Sequence, residues 1–286
     1  MGCTNELCPA ALTGWKARLK LSAIGGSPRT RVWKEHQGPL YLQRPFYPEE
    51  DGTAHLYLLH PPGGVVGGDE IDIRIELQEQ AALLVTTPGC GKFYRSAGQT
   101  AIQHQQFDLG SGTVLEWFPQ ETILYEQSRT ALSTQIHLQK GARYTGWEIL
   151  CFGRPASGHS FGNGVCHQRL EIWQGCQPVW IDRAVFDGAD EMLQSSWGLG
   201  GYSVFGTMVS VLPDKALGQP LIALIRSTIC SHDGELFAVT LCDSVLICRY
   251  LGHVAEKAKQ HFTDAWNLIR QVLLQKEAVI PRIWKT

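Results

Sequence analysis

The sequence has no surplus of either charge: 25 Lys and Arg stand against 27 Asp and Glu, a net of −2 over 286 residues. Nucleic acid and anionic membranes are bound through clustered basic side chains, so neither partner is expected. Long apolar runs are missing as well. None approaches the roughly 20 residues that span a bilayer, and the opening Met1-Gly2-Cys3-Thr4-Asn5-Glu6-Leu7-Cys8 lacks a basic stretch followed by an apolar one. The expectation is a cytoplasmic protein. The nine cysteines include no Cys-x-x-Cys pair, and Cys230, Cys242 and Cys248 sit within apolar runs, which suits reduced, mostly buried thiols. His-Glu-x-x-His and paired cysteine knuckles are absent, so a closed zinc site is not expected. The glycines between 63 and 68 do not space as G-x-G-x-x-G, and Lys92 after Gly91 is followed by Phe93. Neither minimum pattern for cradling a nucleotide phosphate is met.

What is present reads mainly as strand. Short apolar segments separated by Gly25-Gly26-Ser27-Pro28, Pro88-Gly89 and Gly110-Ser111-Gly112 set an all-β rhythm. Leu132-Ser133-Thr134-Gln135-Ile136-His137-Leu138 alternates cleanly, and β-branched or aromatic residues dominate 113–118, 177–186, 203–212, 221–230 and 236–250. The exception is 253–276, where Val254, Ala258, Phe262, Ala265, Ile269 and Val272 recur at spacings of three and four, the mark of a C-terminal amphipathic helix. A second, shorter helix is placed at 189–196, although the Gly-rich 198–201 that follows equally suits a loop. No repeat of fixed period is evident. Residues 1–11 read as a flexible tail and 12–286 as one domain.

The stretch His60-Pro61-Pro62-Gly63-Gly64-Val65-Val66-Gly67-Gly68-Asp69 fixes an unusual backbone without supplying a catalytic group, and it sets Asp69 at the entrance of the alternating Ile71, Ile73, Ile75, Leu77. Gly158-His159-Ser160-Phe161-Gly162 matches a nucleophile elbow, but 165–173 reads as a strand where that motif requires a helix. Carboxylates inside apolar surroundings are more informative, because a buried charge costs several kcal/mol unless paired or hydrated. Glu116, Glu148 and Asp182 are of this kind. Each suits the wet face of a half-exposed strand, and a water-filled passage lined by several of them would bind a divalent cation weakly and reversibly.

The 60–69 stretch, Thr86-Thr87-Pro88-Gly89, Lys92-Phe93-Tyr94-Arg95-Ser96 and Leu115-Glu116-Trp117-Phe118-Pro119-Gln120-Glu121 together resemble the urease accessory protein UreD family, also called UreH. The resemblance continues through Arg44-Pro45-Phe46-Tyr47-Pro48-Glu49, Gly153-Arg154-Pro155 and Pro281-Arg282-Ile283-Trp284, and so covers the chain from about Trp15. It implies an all-β dominated, irregular β-helix-like fold of stacked sheets with one or two α-helices, and no catalytic activity. It also implies a role in bringing nickel into the urease active site, with UreF, UreG (through UreF) and the urease apoprotein as partners. GTP would be bound by UreG and not by this chain, and Ni²⁺ would be in transit with no tightly bound cofactor. The family's acidic passage maps onto Asp69, Glu148 and Asp182. The C-terminal Arg282, Ile283 and Trp284 are a candidate UreF-facing surface, since Arg and aromatic residues anchor interfaces, and self-packing is the other reading. Cys90 departs from the family pattern and is read as a small core residue or an additional soft ligand. A β-helical carbohydrate-active enzyme is the alternative, and it requires two carboxylates about 5–10 Å apart in an open cleft.

Overall fold

The structure is a computed structural model that describes residues 14–230 and 233–285, and in it the chain winds into a flattened parallel solenoid. The tail expected at 1–11, with Cys3 and Cys8, lies outside the described residues. One wall is a seven-stranded sheet of β1 (Lys16–Ile24), β2 (Arg31–Gln37), β5 (Glu70–Gln78), β8 (Ala101–Leu109), β11 (Arg129–Leu138), β13 (Val165–Gln174) and β14 (Gln177–Asp187), in spatial order β14-β13-β11-β8-β5-β1-β2. The opposite wall contains β3 (Tyr41–Leu42), β4 (Ala54–Leu59), β6 (Ala82–Thr86), β9 (Val114–Phe118), β12 (Arg143–Phe152), β15 (Val204–Val211), β16 (Leu236–Cys242) and β17 (Val245–Gly252). Its order is β16-β17-β15-β12-β9-β6-β4-β3. The short β7 (Gly91–Phe93) and β10 (Thr122–Leu124) join β12 in parallel as a narrow third face.

From β4 to β13 the chain alternates between the two walls, and each new strand pairs in parallel with its counterpart one coil earlier. Antiparallel strands finish both ends: β2 and β3 at one, β14 and β15 with their neighbours at the other. Strand β5 shows why these residues form these walls. Its Ile71, Ile73, Ile75 and Leu77 are buried between the sheets while Asp72, Arg74 and Glu76 take the other face. The β6 strand reads instead as the apolar run Ala82-Leu83-Leu84-Val85, and β12 buries side chains on both of its faces, because this wall is covered twice. One side of that wall faces the first sheet. The other carries Leu84, Phe118, Trp147 and Ile149 against a helical layer.

That layer holds α1 (Gly218–Thr228) and α2 (Ala255–Leu274). Helix α2 presents Ala258, Phe262, Ala265, Trp266, Ile269 and Leu273 to the sheet, in agreement with the spacing at 253–276. Two other expectations, a strand at 221–230 and a helix at 189–196, need correction. The run 221–230, read as strand-like from its β-branched content, is instead helical through Thr228, since Leu221, Ile222 and Ile225 form one apolar stripe at i, i+1 and i+4, and Pro220 sits in the first turn where its missing N–H costs nothing. At 189–196 only a short 3₁₀ turn, Glu191–Leu193, forms, with the Asp190 carboxylate accepting the Met192 N–H. Gly198 lies against Met192, where a Cβ would meet the carbonyl oxygen at 2.0 Å, and the chain turns back there. None of the helices among the described residues is long and apolar enough to cross a membrane.

Candidate functional site

A polar seam runs through the interior between the two walls. Across the inner face of the seven-stranded sheet, one register row reads Leu19, Ile73, Gln105, Thr134, Leu170, Asp182. Three of these six are polar at positions where alternation puts core residues. Glu148 approaches them from β12 on the facing wall. Its Oε1 accepts the Thr134 hydroxyl at 2.6 Å and its Oε2 accepts the Gln168 amide at 2.6 Å. Thr134 Oγ1 is also 3.1 Å from Gln105 Oε1. A hydroxyl has one proton to give, so Thr134 serves either Glu148 or Gln105 at any moment. Burial raises the Glu148 carboxyl above its ordinary range, the bonds from Thr134 and Gln168 work against that, and the negative charge of Asp182 adds to it.

Asp182 is bridged to the second wall by a partly exposed ion pair. Arg249 Nη2 donates to Asp182 Oδ2 at 2.6 Å and Nη1 to Thr207 Oγ1 at 2.5 Å, with the guanidinium 5.2 Å from the centre of the Phe205 ring. Thr207 is the register partner of Glu148 on β15, so this bridge lies one strand from the buried carboxyl. Glu148 and Asp182 therefore share one neighbourhood.

Asp69 is placed differently. It is buried, its Oδ1 accepts Trp15 N–H at 3.1 Å and its Oδ2 accepts Val66 N–H at 2.9 Å. It ties the 66–69 turn, in which Gly68 has φ +92°, to the chain entering β1. Just ahead of that turn, Pro61 and Gly63 to Val65 help to line a cavity of about 360 Å³ whose polar lining includes His60, Cys90, Gln103, Gln105, Trp117 and Glu148, but not Asp69 or Asp182. Two polar atoms on its lining, His60 Nε2 and Trp117 Nε1, are buried with no hydrogen-bond partner, which leaves donor and acceptor capacity for water or a polar guest. Burial lowers the His60 pKa, and the charge of Asp69 opposes that. At Cys90, burial and then the charge of Glu121 raise the thiol pKa, which disfavours the thiolate. No group of three or more His, Cys, Asp or Glu among the described residues is arranged to hold a metal ion.

Glu116 belongs to a separate structure. It lies between β9 and α2, where Trp266 Nε1 donates to it at 2.7 Å and Arg270 Nε at 3.0 Å, and Arg270 Nη2 reaches Glu49 at 2.7 Å. Burial raises the Glu116 pKa despite the charge of Arg270. At Glu49 burial also pushes upward, yet hydrogen bonds from His55 and Arg270 bring the carboxyl down to about 2. This is a clamp fastening α2 to the solenoid. The C-terminal turn packs on the same layer: Trp284 sits among Phe118, Trp147 and Trp266 and donates Nε1–H to Thr86 at 2.9 Å, while Arg282 lies 5.8 Å from the Phe46 ring. Arg282 is exposed and Ile283 and Trp284 are half-buried. Ser160 stands in a loop that leads into β13, without the helix an elbow needs.

Thr134, Gln168, Gln105, Thr207 and Arg249 were not singled out in the sequence. The signal for Thr134 was there: it shares parity with Leu132, Ile136 and Leu138, so it is a polar residue at a core position.

A family model described as "UreD urease accessory protein" matches residues 15–285. Among similar curated proteins, "Urease accessory protein UreD 2" of Brucella anthropi is 40% identical, covering 96% of this chain and 99% of its own length. "Urease accessory protein UreD" of Dechloromonas aromatica is 38% identical, covering 97% of each. A protein of the same description from Alcanivorax borkumensis is 42% identical, covering 100% of this chain and 97% of its own length.

Proposed function

The chain belongs to the UreD family of urease accessory proteins, and from that premise we propose that it serves nickel insertion in the cytoplasm, joining UreF, and UreG through UreF, to the urease apoprotein and offering Ni²⁺ a passage through its interior. The family is one of accessory proteins and not of enzymes, so the role in urease maturation is non-catalytic. GTP chemistry is assigned to UreG.

The observation that carries the nickel reading is Glu148. A carboxyl taken out of water with no cation beside it is a cost to the fold, and here it is met by two neutral donors beside a cavity that still has unpartnered polar atoms. Oxygen donors spread along a seam, with no closed ligand set, suit a borderline cation in transit. In this reading Glu148 and Asp182 offer carboxylate oxygens, Asp182 once Arg249 moves aside, and Asp69 holds the turn that shapes the passage. Arg282, Ile283 and Trp284 act at the UreF side by stabilising the helical layer, with Arg282 as the exposed contact. The alternative of a carbohydrate-active enzyme has no support in the placement of its two carboxyls, one interior and one ion-paired.

Co-purification tests the bridging. UreG should be recovered on this chain only when UreF is present, and apo-urease should be recovered without either. Recovery of UreG in the absence of UreF, or no recovery of apo-urease, contradicts the arrangement. For the passage, urease matured with the Asp69→Ala, Glu148→Ala, Asp182→Ala triple variant should contain little nickel, and full nickel content would sink the assignment.

A further inference from the structure

Four sequence segments converge on the narrow third face. Tyr94 follows β7 and Tyr125 follows β10, and the parallel register sets them side by side with Gly153 level with them on the β12 side; Arg154, the next residue, completes the row. The Tyr94 and Tyr125 rings meet edge to face at 4.7 Å, and the Arg154 guanidinium lies 4.5 Å from the Tyr125 ring centre. The fourth segment supplies the end of the row: Tyr94 OH donates to Gly63 O at 3.3 Å, and a Cβ on Gly64 would meet the Tyr94 ring at 2.1 Å. Gly64 is therefore glycine because the ring occupies its side-chain space. The row is built and held, with Phe93, Leu124 and Phe152 buried beneath it.

Its charge is unanswered. Among the described residues no carboxylate lies within ion-pairing distance of Arg154, and its Nε is buried without an acceptor. Lys92 and Arg95, which flank Tyr94 in sequence, have no ion pair there either. The acidic residues nearest in sequence are Glu121, ahead of β10, and Glu126, exposed and adjacent to Tyr125, and the cation on the row itself is Arg154. A planar guanidinium braced on an aromatic ring and lacking an acceptor is fitted to a carboxylate, and Tyr and Arg are the side chains that dominate interface energetics. The adjoining Gly63, Gly64 and Lys92 also line the cavity that contains Glu148. A protein docked on this row covers the wall of that cavity.

We propose that the Tyr94, Tyr125 and Arg154 row is the docking surface for an acidic segment of the protein that accepts the nickel, a carboxylate seating on Arg154 and an apolar neighbour on the two tyrosines. This rests on the maturation role above for the identity of the acceptor, apo-urease. The test measures binding of the full chain to apo-urease and, separately, to UreF, at two salt concentrations. Arg154→Gln should weaken apo-urease binding about tenfold and flatten its salt dependence, with circular dichroism and UreF binding unchanged. Arg154→Lys, which keeps the charge and the stem but loses the planar fork, should also bind apo-urease more weakly than the native chain and covers the case in which the Gln variant fails to fold. Native affinity for apo-urease in the Lys variant, or in a folded Gln variant, overturns the proposal. Loss of UreF binding with apo-urease unaffected assigns the row to another occupant and overturns it too. A native chain that activates urease yet binds apo-urease undetectably removes the docking surface while leaving the maturation role standing.

Discussion

Replacing Glu148 by Gln separates function from stability. The isosteric amide can keep both hydrogen bonds, its oxygen accepting from Thr134 and its NH₂ donating to Gln168 after that amide turns over. Each bond is worth about 0.5–1.5 kcal/mol net, so retaining both leaves nothing lost. What disappears is the cost of ionising a buried carboxyl with no cation at hand. Because burial raises the Glu148 pKa in the folded state, the native state binds its proton more tightly than the unfolded chain does. Stability from this group is present at low pH and is lost as pH rises through the folded pKa. The variant should therefore match the native chain near pH 4 and equal or exceed it at pH 8. Glu148→Ala, which strands the Gln168 amide and leaves Thr134 with Gln105 alone, should lose about 1–3 kcal/mol. Urea unfolding followed by tryptophan fluorescence at the two pH values reads all three, with an unchanged m-value required. A Gln variant more than about 1 kcal/mol below the native chain at pH 8 would refute the reasoning, because that is the loss of one net bond.

Arg270→Met leaves Glu49 and Glu116 without their shared cation and should cost about 3–5 kcal/mol, seen as a lower urea midpoint; a change under about 1 kcal/mol would mean that the clamp is not formed. Glu49, held down at about 2 against an ordinary 4.5, contributes stability that is fully present above pH 4.5 and lost as pH falls toward 2. Glu49→Gln should lower stability at neutral pH and abolish that part of the acid transition, and an unaltered acid limb would contradict the assignment. Trp284→Ala should cost about 2–3 kcal/mol through lost burial against Phe118, Trp147 and Trp266, and unchanged stability would show the C-terminal turn to be detached in solution.

The β-rich layout and the terminal helix were legible because period is local: Leu132 to Leu138 alternates and Ala258 to Ile269 steps by three and four. Helix α1 was not, because β-branched content at 221–230 hid a stripe that only packing on β16 and α2 reveals. Glu148 and Asp182 stood out as carboxylates in apolar runs. Their neighbourhood did not, since it depends on pairings between residues 14 to 67 positions apart that no periodicity encodes. Asp69 was found by its place after two glycines, a signal that reports backbone shape, and both its oxygens are engaged in holding that shape. The Tyr94 and Arg154 motifs carried the family resemblance, but the row they form appears only once parallel coils stack.

Nickel delivery tests the central claim most directly. Urease made with its structural subunits and the other accessory proteins at limiting nickel is assayed for metal content and activity with this chain, without it, and with the Glu148→Gln variant. The account predicts nickel-loaded, active urease with the native chain alone, and a folded variant that binds its partners but leaves urease poor in nickel. Equal loading without the chain, or full loading by the variant, would contradict it.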